Sequence, residues 1–332
     1  MNIIDLNYDI IQYIIDFLPI CHKEYSIYET CLYLYKFKKY LFLDKIHTKR
    51  YCTNENFQID VDSRNLKIYR AYLPNDDIIN ISMLKNVRNL YLSGCKNIKD
   101  ISSLSDCYSL YLSGCNKLTN VNILSKVHIL HLSYCTNIED VSNLGNINTL
   151  TLCSCIKIKD VSMLGNVRIL NLSYCINIID VSMLGKVDTL NLSYCKNIID
   201  VSALSNVRNL NLSGCDRIVD VSMLKNVLIL NLSYTNITDV SNLGNVHTLN
   251  LSYCKHLINV KKLGNNHNLN LKNCESINDV STLINVKNLN LQNCYNIFDA
   301  SMLNNSDTLD LRGIYNSHKY KFILKNVKYL YV

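Results

Sequence analysis

Apolar residues in this chain fall into a 20-residue rhythm from about residue 81 to residue 332. One copy reads Val167-Arg-Ile-Leu170-Asn-Leu172-Ser-Tyr-Cys175-Ile-Asn-Ile178-Ile-Asp180-Val181-Ser182-Met-Leu184-Gly-Asn, and the copy from Val187 keeps its apolar positions. The Leu opening each Leu-x-Leu recurs at 90, 110, 130, 150, 170, 190, 210, 230, 249, 269, 289, 309 and 330. One step, Leu230 to Leu249, is 19 residues, the last is 21, and the others are 20. A fixed period in this range is the mark of stacked structural repeats.

Leu170 and Leu172 are two apart, so they face one side of an extended segment, with Ile169, Asn171 and Ser173 on the other. One 20-residue unit cannot bury that apolar side alone. Neighbours stacked at about 4.8 Å would form a parallel sheet with Leu, Val, Ile and Cys columns inside. The return segment Asp-Val-Ser-x-Leu is short beside an average α-helix of about 11–12 residues. It predicts a single 3₁₀-like turn, capped by Asp180 through an amide two or three residues on. Gly-Asn at 145–146 and 165–166 is expected to supply a positive-φ turn back into the strand. In the 19-residue step Thr235 takes the cysteine position and one loop residue is lost, yet Ile237, Asp239 and Val240 return to phase. The predicted fold is α/β: a curved solenoid over 81–332, with a parallel sheet on its concave side and short convex turns.

Ahead of the repeats, Leu6, Ile10, Ile14 and Leu18 recur every four residues, Ile11 and Ile15 widen the stripe, and Pro19 ends the predicted helix. A second apolar segment runs from Tyr25 to Phe37. Residues 1–45 are thus expected to be a small helical module. Residues 46–80 are a transition in which Asn65-Leu66-Lys-Ile68 forms a degenerate first strand. Asp5, Asp9 and Asp16 interrupt the first apolar run, which does not fit a secretory signal. No uninterrupted apolar stretch reaches the roughly 18 residues of a membrane span.

The pattern Val-x-x-Leu-x-Leu-x-x-Cys-x-x-Ile resembles a leucine-rich repeat of the cysteine-containing kind. Its tail, Asp-Val-Ser-x-Leu, is similar to the short convex segment of bacterial and signalling-type repeats. The amphipathic stretch ending in Leu18-Pro19, followed by Cys31-Leu32-Tyr33-Leu34, resembles an F-box. It departs from that family in having Leu6-Asn7 at the usual Leu-Pro, and Tyr33 or Tyr35 for the aromatic residue after the Cys-Lys pair. The resemblance implies that Ile10, Ile11, Ile14, Leu18 and Pro19 meet a Skp-type adaptor of a cullin–RING ubiquitin ligase, with the solenoid selecting the target. A helical cap over the first repeat is compatible with the same residues. The alternative function is an adaptor-free scaffold or inhibitor using the same solenoid. Two Pro, no Trp and 9 Gly, with abundant Asn, Ile, Lys and Tyr, resemble repeat proteins of large DNA viruses of amoebae.

Candidate chemistry changes this picture little. Ten of the 15 cysteines form one column: Cys95, 115, 135, 155, 175, 195, 215, 254, 274 and 294. A line of thiols does not converge as four zinc ligands must, and free cysteines without a signal peptide suit a reducing cytoplasm. The 8 His are scattered, and no phosphate loop, His-Glu-x-x-His or Gly-x-Ser-x-Gly occurs. The Asp column has a local capping role. No catalytic, cofactor or metal residue is therefore assigned, and no enzyme is expected.

The surface expected to bind is the concave face. It carries Asn171, 191, 211, 231, 250, 270 and 290 after the first Leu, preceded by Tyr91, Tyr111 and His131. An outward Ser ladder breaks into Lys272, Gln292 and Arg312, and a flanking column holds Tyr134, Tyr174, Tyr194, Tyr234 and Tyr253. Tyr is enriched at interfaces, so these eight residues are the expected contacts of a protein partner. The net charge is +7, and residues 251–332 hold 10 Lys/Arg against 5 Asp/Glu. That weights the expected site toward the C-terminal repeats and toward an acidic protein. No dense basic stripe supports nucleic-acid binding.

Overall fold

The computed structural model describes residues 40–63 and 67–332. Its described residues form a single sheet of fifteen parallel strands in chain order, β1 to β15. β1 is Tyr40–Leu43 and β2 is Lys67–Tyr72; from Asn89–Tyr91 to Thr308–Asp310 each strand has three residues, and β15 is Tyr329–Tyr331. The leucine columns pair in register, Leu170 with Leu190 and Leu190 with Leu210. The fold is the expected solenoid.

Each 20-residue rung closes because its inward positions are apolar and its corners are short hydrogen-bonded turns. In the Leu170 rung, Leu170, Leu172, Cys175, Ile178, Val181 and Leu184 are all at most 2% exposed. Backbone bonds Cys175 N to Leu172 O, Ile178 N to Cys175 O and Leu184 N to Val181 O, at 3.0–3.2 Å, bend the chain every three residues. The convex 3₁₀ turn is Ser182–Leu184. Asp180 Oδ1 accepts the Ser182 N–H at 2.8 Å, as its place before the turn predicts. Asn120 and Asn259 supply the same acceptor in their rungs.

The positive-φ turn does not lie where Gly-Asn suggested. Gly145 and Gly165 have φ near −64° and −62°, in the ordinary helical region. What their missing Cβ provides is room, since a Cβ on Gly165 would meet the carbonyl oxygen of Met183 on the next rung. The left-handed residue sits instead at the strand exit, where Tyr174 has φ 60°.

The 19-residue rung keeps its core: Ile237, Val240 and Leu243 are at most 2% exposed. Thr235 fills the cysteine position and donates its hydroxyl to Leu232 O at 2.6 Å. At the N-terminal end, α1 (Lys45–Thr53) and α2 (Glu55–Ser63) lie between β1 and β2. Buried Thr48 ties α1 to both strands, donating to Leu43 O at 3.2 Å and accepting from Tyr72 N at 3.1 Å. Asn65 and Leu66 of the expected degenerate strand lie outside the described residues. In β2 it is Ala71 that pairs with Leu90, so Ala71 and Leu73 continue the leucine columns.

Candidate functional site

Strands of three residues must be left quickly, and one residue per rung takes the left-handed backbone that turns the chain off the sheet. That column reads Asn75, Gly94, Gly114, Tyr134, Ser154, Tyr174, Tyr194, Gly214, Tyr234, Tyr253, Asn273, Asn293 and Gly313, with φ between 52° and 81°. Gly and Asn are the residues this conformation favours. A bulky side chain there costs roughly 1–2 kcal/mol. All five tyrosines of the flanking column expected from sequence therefore occupy the position where tyrosine is least at home. Sheet bonds hold them there, Tyr174 N to Ser193 O at 2.8 Å and Tyr194 N to Ser213 O at 2.7 Å.

The tyrosine rings line the strand-exit edge. Tyr174 and Tyr194 stack at 4.6 Å and 9°, and Tyr234 and Tyr253 at 4.3 Å and 10°. Tyr134 is 60% exposed. The Tyr194 side chain leans toward the next rung, where its ring covers Gly214 and a Cβ would lie 2.6 Å from its Cδ1.

The asparagine column of the concave face has a local role. Asn171 Oδ1 accepts the Ser173 N–H at 3.0 Å, and Asn191, Asn211, Asn231, Asn250, Asn270 and Asn290 repeat this two residues before each exit turn. The Ser ladder is covered rather than exposed in the middle rungs. Ser173, Ser193, Ser213, Ser233 and Ser252 are 4–8% exposed, and Ser213 and Ser233 share a 2.8 Å hydroxyl contact. Lys272, Gln292 and Arg312 replace serine in successive rungs. Arg312 is committed within the chain, with its Nε 3.0 Å from Asp310 Oδ1 and an Nη 2.6 Å from Asp310 Oδ2. Beside these rungs a concave groove of about 420 Å³ is lined by Thr248, Asn250, Asn268, Asn270, Asn288, Asn290, Asp310 and Tyr331, among others. Asn288 donates to Asn268 at 2.6 Å and Asn268 to Thr248 at 2.9 Å, making one chain of hydrogen bonds across three rungs.

The N-terminal rungs carry a second set of rings. On the concave face Tyr72, Tyr91, Tyr111 and His131 form one column, with Tyr91–Tyr111 at 4.3 Å and Tyr111–His131 at 4.5 Å. At the strand-entry edge, Arg88 lies 5.9 Å over the Tyr69 ring and 4.6 Å over Tyr108, and Tyr108 stacks on His128 at 4.8 Å. Desolvation lowers the His131 pKa. From Tyr69 to Asn171, the entry and concave positions of six successive rungs contain no carboxylate; the first is Asp188. Sequence reading singled out Tyr91, Tyr111 and His131, but not Tyr72, Tyr108 or Arg88, because only the strand register shows which positions share a column.

The cysteine column is interior. Cys115, Cys135, Cys155, Cys175, Cys195 and Cys215 are buried, and each Sγ lies 3.1–3.2 Å from the second leucine carbonyl of the preceding rung. Burial pushes the Cys175 thiol up to about 12 and Cys135 to about 11. Among the described residues no group of three or more His, Cys, Asp or Glu is placed to hold a metal ion. No described helix is long and apolar enough to cross a membrane. Ile10, Ile11, Ile14, Leu18 and Pro19 lie outside the described residues.

Neither protein families nor curated proteins give a match to this sequence. Among solved structures, an internalin from Listeria monocytogenes is similar at TM-score 0.61 and 22% identity, over 79% of this chain and 86% of that one. A leucine-rich-repeat protein of Leptospira interrogans is similar at TM-score 0.56 and 18% identity, over 88% and 89%. A chain of the mouse RP105/MD-1 complex follows at 0.57 and 19%, over 79% of this chain and 54% of that one. The fold is that of a leucine-rich-repeat solenoid.

Proposed function

We propose that this chain is a protein-binding solenoid whose partner sits on the concave face and along the tyrosine-bearing exit edge, toward the C-terminal rungs. The observation that carries this reading is the strained backbone of Tyr134, Tyr174, Tyr194, Tyr234 and Tyr253. Gly214 and Asn273 show what the backbone alone would accept at that position. Strain of this kind gathers at functional sites, and tyrosine supplies rigid contact area at small entropic cost. The groove beside Asn270 and Asn290 adds hydrogen-bonding groups next to Lys272 and Gln292. The RP105/MD-1 complex shows a neighbour of this fold in a protein assembly.

The F-box-like resemblance completes the proposal. Residues 1–45 recruit a Skp-type adaptor and cullin–RING ligase through Ile10, Ile11, Ile14, Leu18 and Pro19, and the solenoid presents the target. The cytoplasm is the fitting compartment for a chain whose thiol column is free and buried. Removing residues 1–39, which leaves β1 intact, should abolish cullin capture while the Tyr edge still holds its target. Capture that survives the deletion excludes the ligase role. Target binding without cullin in the full chain identifies the adaptor-free scaffold. Tyr234→Ala with Tyr253→Ala should weaken target binding by more than about 2 kcal/mol.

A further inference from the structure

The rings of the N-terminal rungs are used up by one another. At 4.3–4.8 Å and 9–24°, Tyr91, Tyr111, His131, Tyr108 and His128 stack face to face, so a ligand meets ring edges and hydroxyls. The edge of an aromatic ring is the positive part of its quadrupole. Arg88 is held over Tyr108 at 4.6 Å, and Arg168 stands further along the same entry column. Neither arginine has a carboxylate partner among the described residues. No carboxylate stands in these columns before Asp188; the nearest in sequence, Asp106, lies in the preceding turn. At the C-terminal end, by contrast, Arg312 is paired with Asp310.

We infer that this entry edge, from Arg88 through Tyr108 and His128 to Arg168, with Tyr111 and His131 beside it, docks an acidic polypeptide segment. Charge complementarity selects the occupant. Ring edges, tyrosine hydroxyls and guanidinium groups all favour anions, and their stacking fixes them before the partner arrives, which lowers the ordering cost of binding. A single-stranded nucleic acid fits less well, because its affinity draws on bases stacking against open aromatic faces. This surface is separate from the tyrosine exit edge of the proposed function and does not depend on it.

The test uses the full chain, a ten-residue peptide alternating Glu and Gly, its Gln counterpart and a single-stranded oligothymidylate. The Glu peptide should bind, weaken as salt rises, and lose at least tenfold in affinity when Arg88→Glu and Arg168→Glu are combined. Tyr234→Ala should leave this binding unchanged, which keeps failure here distinct from failure of the exit-edge reading. On the unaltered protein, a Glu peptide carrying a benzophenone should crosslink within the Tyr108–His131 segment, whatever the variants do to folding. Equal binding of the Gln peptide, tighter binding of the oligothymidylate, indifference to the charge reversals, or crosslinks confined to other rungs would each overturn the inference.

Discussion

Two residue types in the repeat reverse the first expectation about them. Tyrosine at the left-handed exit position is a cost to the fold, so its removal can stabilise the chain. Tyr134 stacks on no ring among the described residues and is the cleanest case. Tyr134→Asn should raise stability by about 0.5–1 kcal/mol, as relief of left-handed strain predicts, while weakening partner binding. A Tyr134→Asn protein less stable in urea titration would mean that the ring carries hidden packing. The cysteine column moves the other way. From sequence, a hydroxyl at Cys195 has no visible partner, and an unsatisfied buried group costs roughly 1–3 kcal/mol. The structure supplies the partner, since Cys195 Sγ lies 3.1 Å from Leu172 O, and Thr235 shows a hydroxyl bonding the equivalent carbonyl of its own rung. Cys195→Ser should therefore cost less than about 1 kcal/mol. A thiol reagent at pH 8 should modify the column only as fast as the protein opens, because burial raises thiols such as Cys175 to about 12.

At the scale of the rung, the Asp–Ser turn gives the array its pH dependence. The Ser182 N–H, then the Ser182 hydroxyl, lower the Asp180 pKa, and Asp160, Asp200 and Asp220 repeat the arrangement. A carboxylate whose folded pKa is depressed stabilises above its unfolded pKa of about 3.9 and loses that contribution as pH falls through the folded value. Replacing Asp160, Asp180 and Asp200 with Asn keeps the acceptor, as Asn120 does naturally, and removes the proton. The triple variant should melt near the parent temperature at pH 7 and unfold at a lower pH on acidification. An unchanged acid midpoint would show that other groups govern it. His131 acts over a different range: its depressed pKa means that stability is lost as pH falls below about 6.5. The rung was legible in the sequence because its signal is repeated so often: the Leu170/Leu172 pair, the cap at Asp180 and the deletion at Thr235 all stand where the period puts them. The exit turn was not legible. Gly-Asn at 165–166 looks like a positive-φ turn by composition, whereas Tyr174 hides the real one, its backbone held by the next strand rather than by its own preference. The aromatic columns were only half legible, because Tyr72 and Tyr108 join them through strand register.

At the scale of the whole molecule, the fifteen strands of the described residues follow one another in chain order, so each rung of this array pairs with the rungs on either side of it. Stability in such an array is a sum of rung and interface contributions rather than one indivisible core. Leu190 is 1% exposed and paired on both sides, with Leu170 and Leu210. Leu190→Ala should cost about 2–5 kcal/mol, and the loss should stay local. Hydrogen exchange would then quicken at the amides of Leu172, Tyr174 and Leu192, whose carbonyl partners lie across these interfaces. Leu112 and Leu291, several rungs away, should exchange at their original rates. A uniform acceleration from end to end would show that the solenoid opens as one unit. The local outcome has a functional meaning. Surfaces built on different rungs can then be weakened one at a time, so a fault at the Leu190 rung should loosen the Tyr174–Tyr194 pair while the Arg88–Tyr108 stack keeps its grip on an acidic segment.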